Sequence, residues 1–160
     1  MLRPVHLPPF FCPGKLYLTS MPGRFEPIIE FLREIEDADI DHILCLVSDE
    51  EIAEKSPDYL EAINRGTLPA KLWRHEIPDY GVPDQPFEIL QAVESMKQVF
   101  IRGESVVIHC AAGIGRTGMV AVLLLTRLGF SISTATHTIE QAGSTPETQE
   151  QWDFLDVKPD

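Results

Sequence analysis

Positive charge is scarce in this sequence: 13 lysines and arginines stand against 25 aspartates and glutamates, a formal net charge of -12 over 160 residues. That balance gives the wrong long-range field for nucleic acid or an anionic membrane. Any phosphate site must therefore be a local positive focus inside a negative envelope. Cysteine is scarce as well. Cys12, Cys45 and Cys110 lie far apart with no Cys-x-x-Cys pair, which argues against a disulfide framework and a zinc signature and for free thiols in a reducing compartment. Long apolar runs are missing: the longest, MVAVLLL from Met119 to Leu125, falls far short of the about 20 residues that cross a bilayer. The opening MLRPVHLPPFF has no apolar core of signal-peptide length. The expectation is a cytoplasmic monomer with no membrane or nucleic-acid partner.

What is present is an ordinary soluble composition, 44% hydrophobic and 24% charged, in a length that fits one domain over residues 1–160. There is no repeat or low-complexity tract. Residues 1–14 are rich in proline and read as an arm laid on the domain. KLYLTSM (15–21) reads as a strand, and PIIEFLREIEDA as a helix with Ile28, Phe31, Leu32 and Ile35 on one face. HILCLV (42–47) reads as a buried strand and PDYLEAINRG as a helix from Asp58 to the stop at Gly66. KLWRHEI is another strand, ended by Pro78, and DYGVPDQP a loop. An amphipathic helix spans Phe87–Ile101, SVVIH is a short apolar strand, and Thr117–Leu128 is a mostly apolar helix stopped by Gly129. Two further helices are placed at Thr134–Ala142 and Pro146–Leu155. Strands alternating with helices, followed by helices alone, predict an α/β fold: a central mixed, mainly parallel sheet flanked by helices.

The segment VVIHCAAGIGRTG, residues 106–118, joins the apolar strand to the apolar helix through a glycine-rich turn. Ligands of open α/β sheets bind beyond the carboxyl ends of the strands, and a helix N-terminus offers unpaired N–H groups to an anion. Ala111, Ala112, Gly113, Ile114 and Gly115 carry mostly small side chains or none, so their N–H groups can turn inward as a nest. No Gly-Lys-Ser/Thr follows, so this is not a nucleotide-binding P-loop. Arg116 supplies instead a planar fork for two phosphate oxygens. Cys110 stands at the bottom of the ring, where the same field favours a thiolate nucleophile. The plainer alternative is a buried structural cysteine in a tight turn.

HCAAGIGRTG resembles the active-site signature of the protein tyrosine phosphatase superfamily: His-Cys, five residues, then Arg and Ser or Thr. KLYLTSMPG and IPDYGVPDQ are similar to the small atypical dual-specificity branch, of the cyclin-dependent-kinase-associated type. The resemblance implies the cysteine-dependent phosphatase fold, a phosphorylated protein as partner, and hydrolysis of phosphotyrosine through a phosphocysteine, with phosphoserine and phosphothreonine as further substrates. It implies no cofactor and no metal. By the same resemblance the general acid is an aspartate about thirty residues before the cysteine. Asp79 lies 31 positions upstream of Cys110 and Asp84 lies 26; Asp84 also suits an N-cap of the following helix, and Asp79 a solvated loop. Thr117 corresponds to the hydroxyl that bonds the cysteine sulfur, although it can also cap its own turn. His109 supports the loop or is a buried histidine. Glu147 and Gln151 stand where two glutamines, four apart, place the hydrolytic water. Glutamate at the first is a departure, and Ser144 with Glu147 also fits an S-x-x-E capping box. Two other readings remain: a phosphoinositide or RNA 5′-triphosphate phosphatase, for which the uncharged AAGIG and the acidic chain are unsuited, and a phosphopeptide-binding pseudophosphatase, although no catalytic residue is missing.

Overall fold

The computed structural model describes residues 1–8 and 14–156; Cys12 and residues 9–13 of the proline-rich arm lie outside them. The elements run β1 (Arg3–Pro4), β2 (Leu16–Thr19), α1 (Ile28–Asp37), β3 (His42–Cys45), α2 (Asp49–Lys55), α3 (Pro57–Arg65), β4 (Lys71–Arg74), α4 (Pro86–Ile101), β5 (Val106–His109), α5 (Gly115–Arg127), α6 (Ile132–Gln141) and α7 (Gln149–Phe154). The strands form one sheet in the order β1-β2-β5-β3-β4, with only the short β1 antiparallel. This is the expected mixed, mainly parallel α/β architecture.

The middle strand, β5, is buried along its whole length, as its unbroken apolar run requires. Alternate residues face opposite layers. Val107 and its β3 neighbour Ile43 pack with Phe31 and Ile35 of α1. Ile108 and Leu44 face the larger core, where α4 and α5 lie. Removing a large apolar side chain from water contributes about 1.5–3 kcal/mol, so Phe31 and Ile35, each 1% exposed, hold α1 against its face.

Two elements lie where the sequence reading had none. One is β1, which ties Arg3 to Leu18. The other is α2, whose capping signal was present in SDEEIAEKS: the Ser48 hydroxyl accepts from the Glu51 N–H at 3.2 Å. Other boundaries shift. The helix expected from Thr117 starts at Gly115, which places Arg116 in the first turn of α5. The helix expected from Pro146 starts at Gln149, capped by Thr148. Beyond β4, His75 and Ile77 still donate to the Cys45 and Leu46 carbonyls, so the chain remains strand-like until Pro78.

In this topology β5 ends between β2 and β3. The segments that follow β2, β3 and β4 therefore converge on the turn that follows β5.

Candidate active site

Glycine geometry shapes the turn from Cys110 to Gly115. Gly113 has φ +75°, and a Cβ there would strike the Thr19 carbonyl at the end of β2; only glycine fits such a position comfortably. The Met21 N–H donates to Ala111 O at 3.0 Å, and the Thr145 N–H to Ile114 O at 3.2 Å. The loop is thus braced from both sides, and its exit is the amino end of α5, where the first N–H groups have no intrahelical acceptor.

Arg116 is only 3% exposed. Its Nη1 donates to Glu51 Oε1 at 2.9 Å and to the Ile77 carbonyl at 3.0 Å; its Nη2 donates to Glu51 Oε2 at 2.8 Å and to Asp79 Oδ1 at 3.1 Å. This fork-to-fork pairing fixes the guanidinium plane. Burial alone would lower the Arg116 pKa, but the bond to Glu51 and the charges of Cys110, Glu51 and Asp79 raise it overall. In return, hydrogen bonding to Arg116 holds the Glu51 carboxyl down at about 2, against the opposing effect of its burial and with a smaller contribution from Lys55. No sequence signal marks Glu51 for this role, since it meets Arg116 across 65 positions.

Cys110 is 2% exposed, at the floor of a cleft of about 120 Å³. Ala111, Ala112, Arg116, Asp79, Tyr80 and Glu147 also line it, and Arg24 and Lys55 bring positive charge to the lining. A larger cleft of about 290 Å³ contains Asp84 with His75, Glu76 and Glu88 but no nucleophile. Asp84 is not among the residues that line the Cys110 cleft, although it shares a third cleft of about 240 Å³ with Asp79 and Glu51. It does not cap α4 either, because the helix begins one residue later than that reading needs, with Pro86 at N1 and Gln85 at the N-cap.

Behind the cysteine, His109 is fully buried. Its Nδ1 lies 3.0 Å from the Cys110 carbonyl and its Nε2 2.8 Å from the Tyr59 hydroxyl. A carbonyl can only accept, so Nδ1 carries the hydrogen and Nε2 accepts from Tyr59. Burial pushes the Tyr59 pKa well above its ordinary 10, which keeps that donor protonated. The Thr117 hydroxyl is buried with no hydrogen-bond partner among the described residues; it makes neither the capping bond nor the expected bond to the Cys110 sulfur.

The 144–151 segment corrects the capping-box reading. Ser144 Oγ donates to the Gly113 carbonyl at 2.6 Å, and the Glu147 N–H donates to Gln151 Oε1 at 2.8 Å. The residue that caps the helix is Thr148. Gln151, fully buried, uses its other amide atom to donate to Gly81 O at 3.1 Å, in the loop that carries Asp79. The Glu147 carboxylate lies against Gly115, at the place a Cβ on that glycine would occupy.

A family model described as Tc-R-P, "Polymorphic toxin system, DSP-PTPase phosphatase", matches residues 19–129, from the end of β2 past α5. The chain belongs to the dual-specificity and tyrosine phosphatase family. Among members of that family, human tyrosine-protein phosphatase non-receptor type 18 is 35% identical over 89 residues, 49% of this chain and 19% of that protein. The chain spans less than a fifth of the curated phosphatases it matches. Among solved structures, kinase-associated phosphatase, with its catalytic-site cysteine replaced by serine, shares the fold with a TM-score of 0.82 at 20% identity, covering 98% of this chain and 92% of that one. The phosphatase Tk-PTP in its active form gives a TM-score of 0.63 at 27% identity, covering 89% and 88%. Small atypical dual-specificity phosphatases are thus the members of the family that this chain resembles.

Proposed function

We propose that the chain is a cysteine-dependent phosphatase domain spanning residues 1–160 and acting on phosphotyrosine, with phosphoserine and phosphothreonine as further protein substrates. The observation that carries this reading is the cleft in which Cys110, Arg116 and Asp79 meet. Cys110 Sγ attacks phosphorus in line while the bond to the leaving oxygen breaks, and Asp79 gives that oxygen its proton. Arg116 and the N–H groups of residues 111–115 hold the equatorial oxygens of the transferring group. Water then attacks the phosphocysteine, a carboxylate takes its proton, and the thiolate departs with a hydrogen bond from Thr117.

Gln151 spends its amide on Glu147 and Gly81, while the Glu147 carboxylate lines the cleft. Glu147 is therefore assigned to position the water, and Gln151 to hold Glu147. His109, bonded to Tyr59 and to the Cys110 carbonyl, keeps the strand end in place. The free thiols at Cys45 and Cys110 suit a reducing, cytoplasmic setting. No helix among the described residues is long and apolar enough to cross a membrane.

The test is a comparison of phosphotyrosine and phosphothreonine peptides, a phosphoinositide and an RNA 5′-triphosphate, with Cys110→Ser as the blank. Phosphotyrosine peptide turnover is expected to survive a chelator and to vanish in Cys110→Ser, which still binds the peptide. A fully active Cys110→Ser protein refutes the mechanism, and preference for the lipid or RNA refutes the substrate class.

A further inference from the structure

The phosphate-binding loop is held from behind by a residue outside the recognised signature. β1 pairs with β2 so that Arg3 lies opposite Leu18, and the Arg3 side chain reaches the back of the loop. Its Nη2 donates to the Gly113 carbonyl at 2.6 Å, and its Nη1 to the Ala142 carbonyl at 2.7 Å and to Ser144 Oγ at 3.2 Å. Ser144 Oγ donates to the same Gly113 oxygen, which therefore accepts two hydrogen bonds. The turn after α6 makes room for this. Gly143 has φ +91°, and a Cβ there would stand 2.6 Å from Arg3 Nη1.

A trans peptide points its carbonyl and its N–H to opposite sides. Fixing Gly113 O toward Arg3 and Ser144 therefore turns the Ile114 N–H to the other face of the loop, away from Arg3. The positive charge counts as well. Among the described residues no carboxylate pairs with Arg3, so an unneutralised guanidinium sits behind a loop shaped for an anion. Burial lowers the Arg3 pKa and the Cys110 sulfur raises it; an arginine remains a cation at neutral pH.

We propose that Arg3 is a positioning residue of the phosphate-binding loop, setting the 113–114 peptide so that the Ile114 N–H faces a bound oxyanion. The proposal rests on the phosphatase reading of this loop. It adds that the N-terminal strand is part of the machinery.

The test uses the full chain with Arg3→Met, which keeps much of the length and loses the charge and fork, alongside Arg3→Lys, Ser144→Ala and the Arg3→Met/Ser144→Ala pair. Orthovanadate inhibition, and kcat and KM for para-nitrophenyl phosphate, are measured for each. Arg3→Met is expected to weaken vanadate and to lower kcat by roughly tenfold to a hundredfold, the scale of a lost charge-assisted bond. Arg3→Lys recovers part of the loss, and the Arg3 and Ser144 losses do not multiply, because both donors hold one oxygen. If Arg3→Met keeps kcat and vanadate inhibition within twofold of the parent, whatever its thermal stability, the proposal is overturned. Should Arg3→Met not fold, Ser144→Ala decides: weakened vanadate binding supports the proposal and an unchanged value overturns it. A parent protein that binds vanadate through Arg3 yet turns over no phosphate ester would sink the phosphatase reading alone.

Discussion

Replacing Asp79 by alanine should move two measurements in opposite directions. Asp79 accepts from Arg116 Nη2 at 3.1 Å, and the Asp79 side chain is 53% exposed. A pair so open to water contributes at most about 1 kcal/mol. Both terminal nitrogens of Arg116 already donate twice, so Asp79 occupies an N–H that an oxyanion would use. Without it, inorganic phosphate or vanadate should inhibit more tightly, by no more than about fivefold. On the proposed mechanism catalysis loses its proton donor at the same time, and general acid contributions are typically about 10²–10⁴-fold. The loss in kcat should be largest for phosphotyrosine, whose leaving oxygen needs a proton, and smaller for para-nitrophenyl phosphate, whose leaving group departs as a stable anion. Steady-state kinetics on both esters, with vanadate inhibition alongside, makes the comparison. Asp84→Ala is the control, since Asp84 shares a neighbouring cleft with Asp79 but is not among the residues lining the Cys110 cleft. If Asp79→Ala keeps kcat within threefold of the parent, or Asp84→Ala loses more, the assignment of the acid is wrong.

Glu51→Gln should remove charge-assisted bonds from Arg116, costing about 1–2 kcal/mol after allowance for solvent and lowering kcat. The Glu51 carboxyl titrates at about 2 in the folded protein against an ordinary 4.5, so its contribution is complete above about pH 4.5 and fades as pH falls toward 2. Urea midpoints from pH 2 to 6 should show that fade in the parent and not in Glu51→Gln. Tyr59→Phe leaves His109 Nε2 buried without its donor, so a loss of about 1–3 kcal/mol is expected in urea unfolding; an unchanged midpoint would contradict the Tyr59–His109 bond. Gly118→Ala drives a Cβ to 2.5 Å from the Thr145 nitrogen, and overpacking of about 1–3 kcal/mol should appear as a lower thermal midpoint.

The catalytic loop was legible because its chemistry is local: strand, glycine turn, arginine and helix are consecutive, and one window contains them all. The strand and helix periods gave the α/β class for the same reason. What supports the loop was not legible in that way. Glu51 meets Arg116 across 65 positions and Arg3 meets Gly113 across 110, and no period or spacing links residues that only the sheet order brings together. Ser144 illustrates the opposite error. Its S-x-x-E spacing fits a local cap, yet the hydroxyl goes to Gly113, because α7 begins only at Gln149 and leaves Ser144 ahead of its first turn. Asp84 failed similarly, since a helix start displaced by one residue is enough to remove a cap.

The loop that carries Asp79 is tethered on both sides. Before it, the Ile77 carbonyl is bound to Arg116; after it, Gly81 O is bound to Gln151 of α7. Three residues lie between these anchors, closed into a tight turn by the Gly81 N–H to Pro78 O bond at 2.9 Å, with Tyr80 at φ +59°. A span that short has almost no slack for a sweeping motion. On the proposed mechanism, transfer of the Asp79 carboxyl from the arginine to a leaving group then becomes a rotation about side-chain bonds, an event of picoseconds to nanoseconds. For the acid proposed at Asp79, these anchors favour side-chain rotation over loop closure as the motion that delivers the proton.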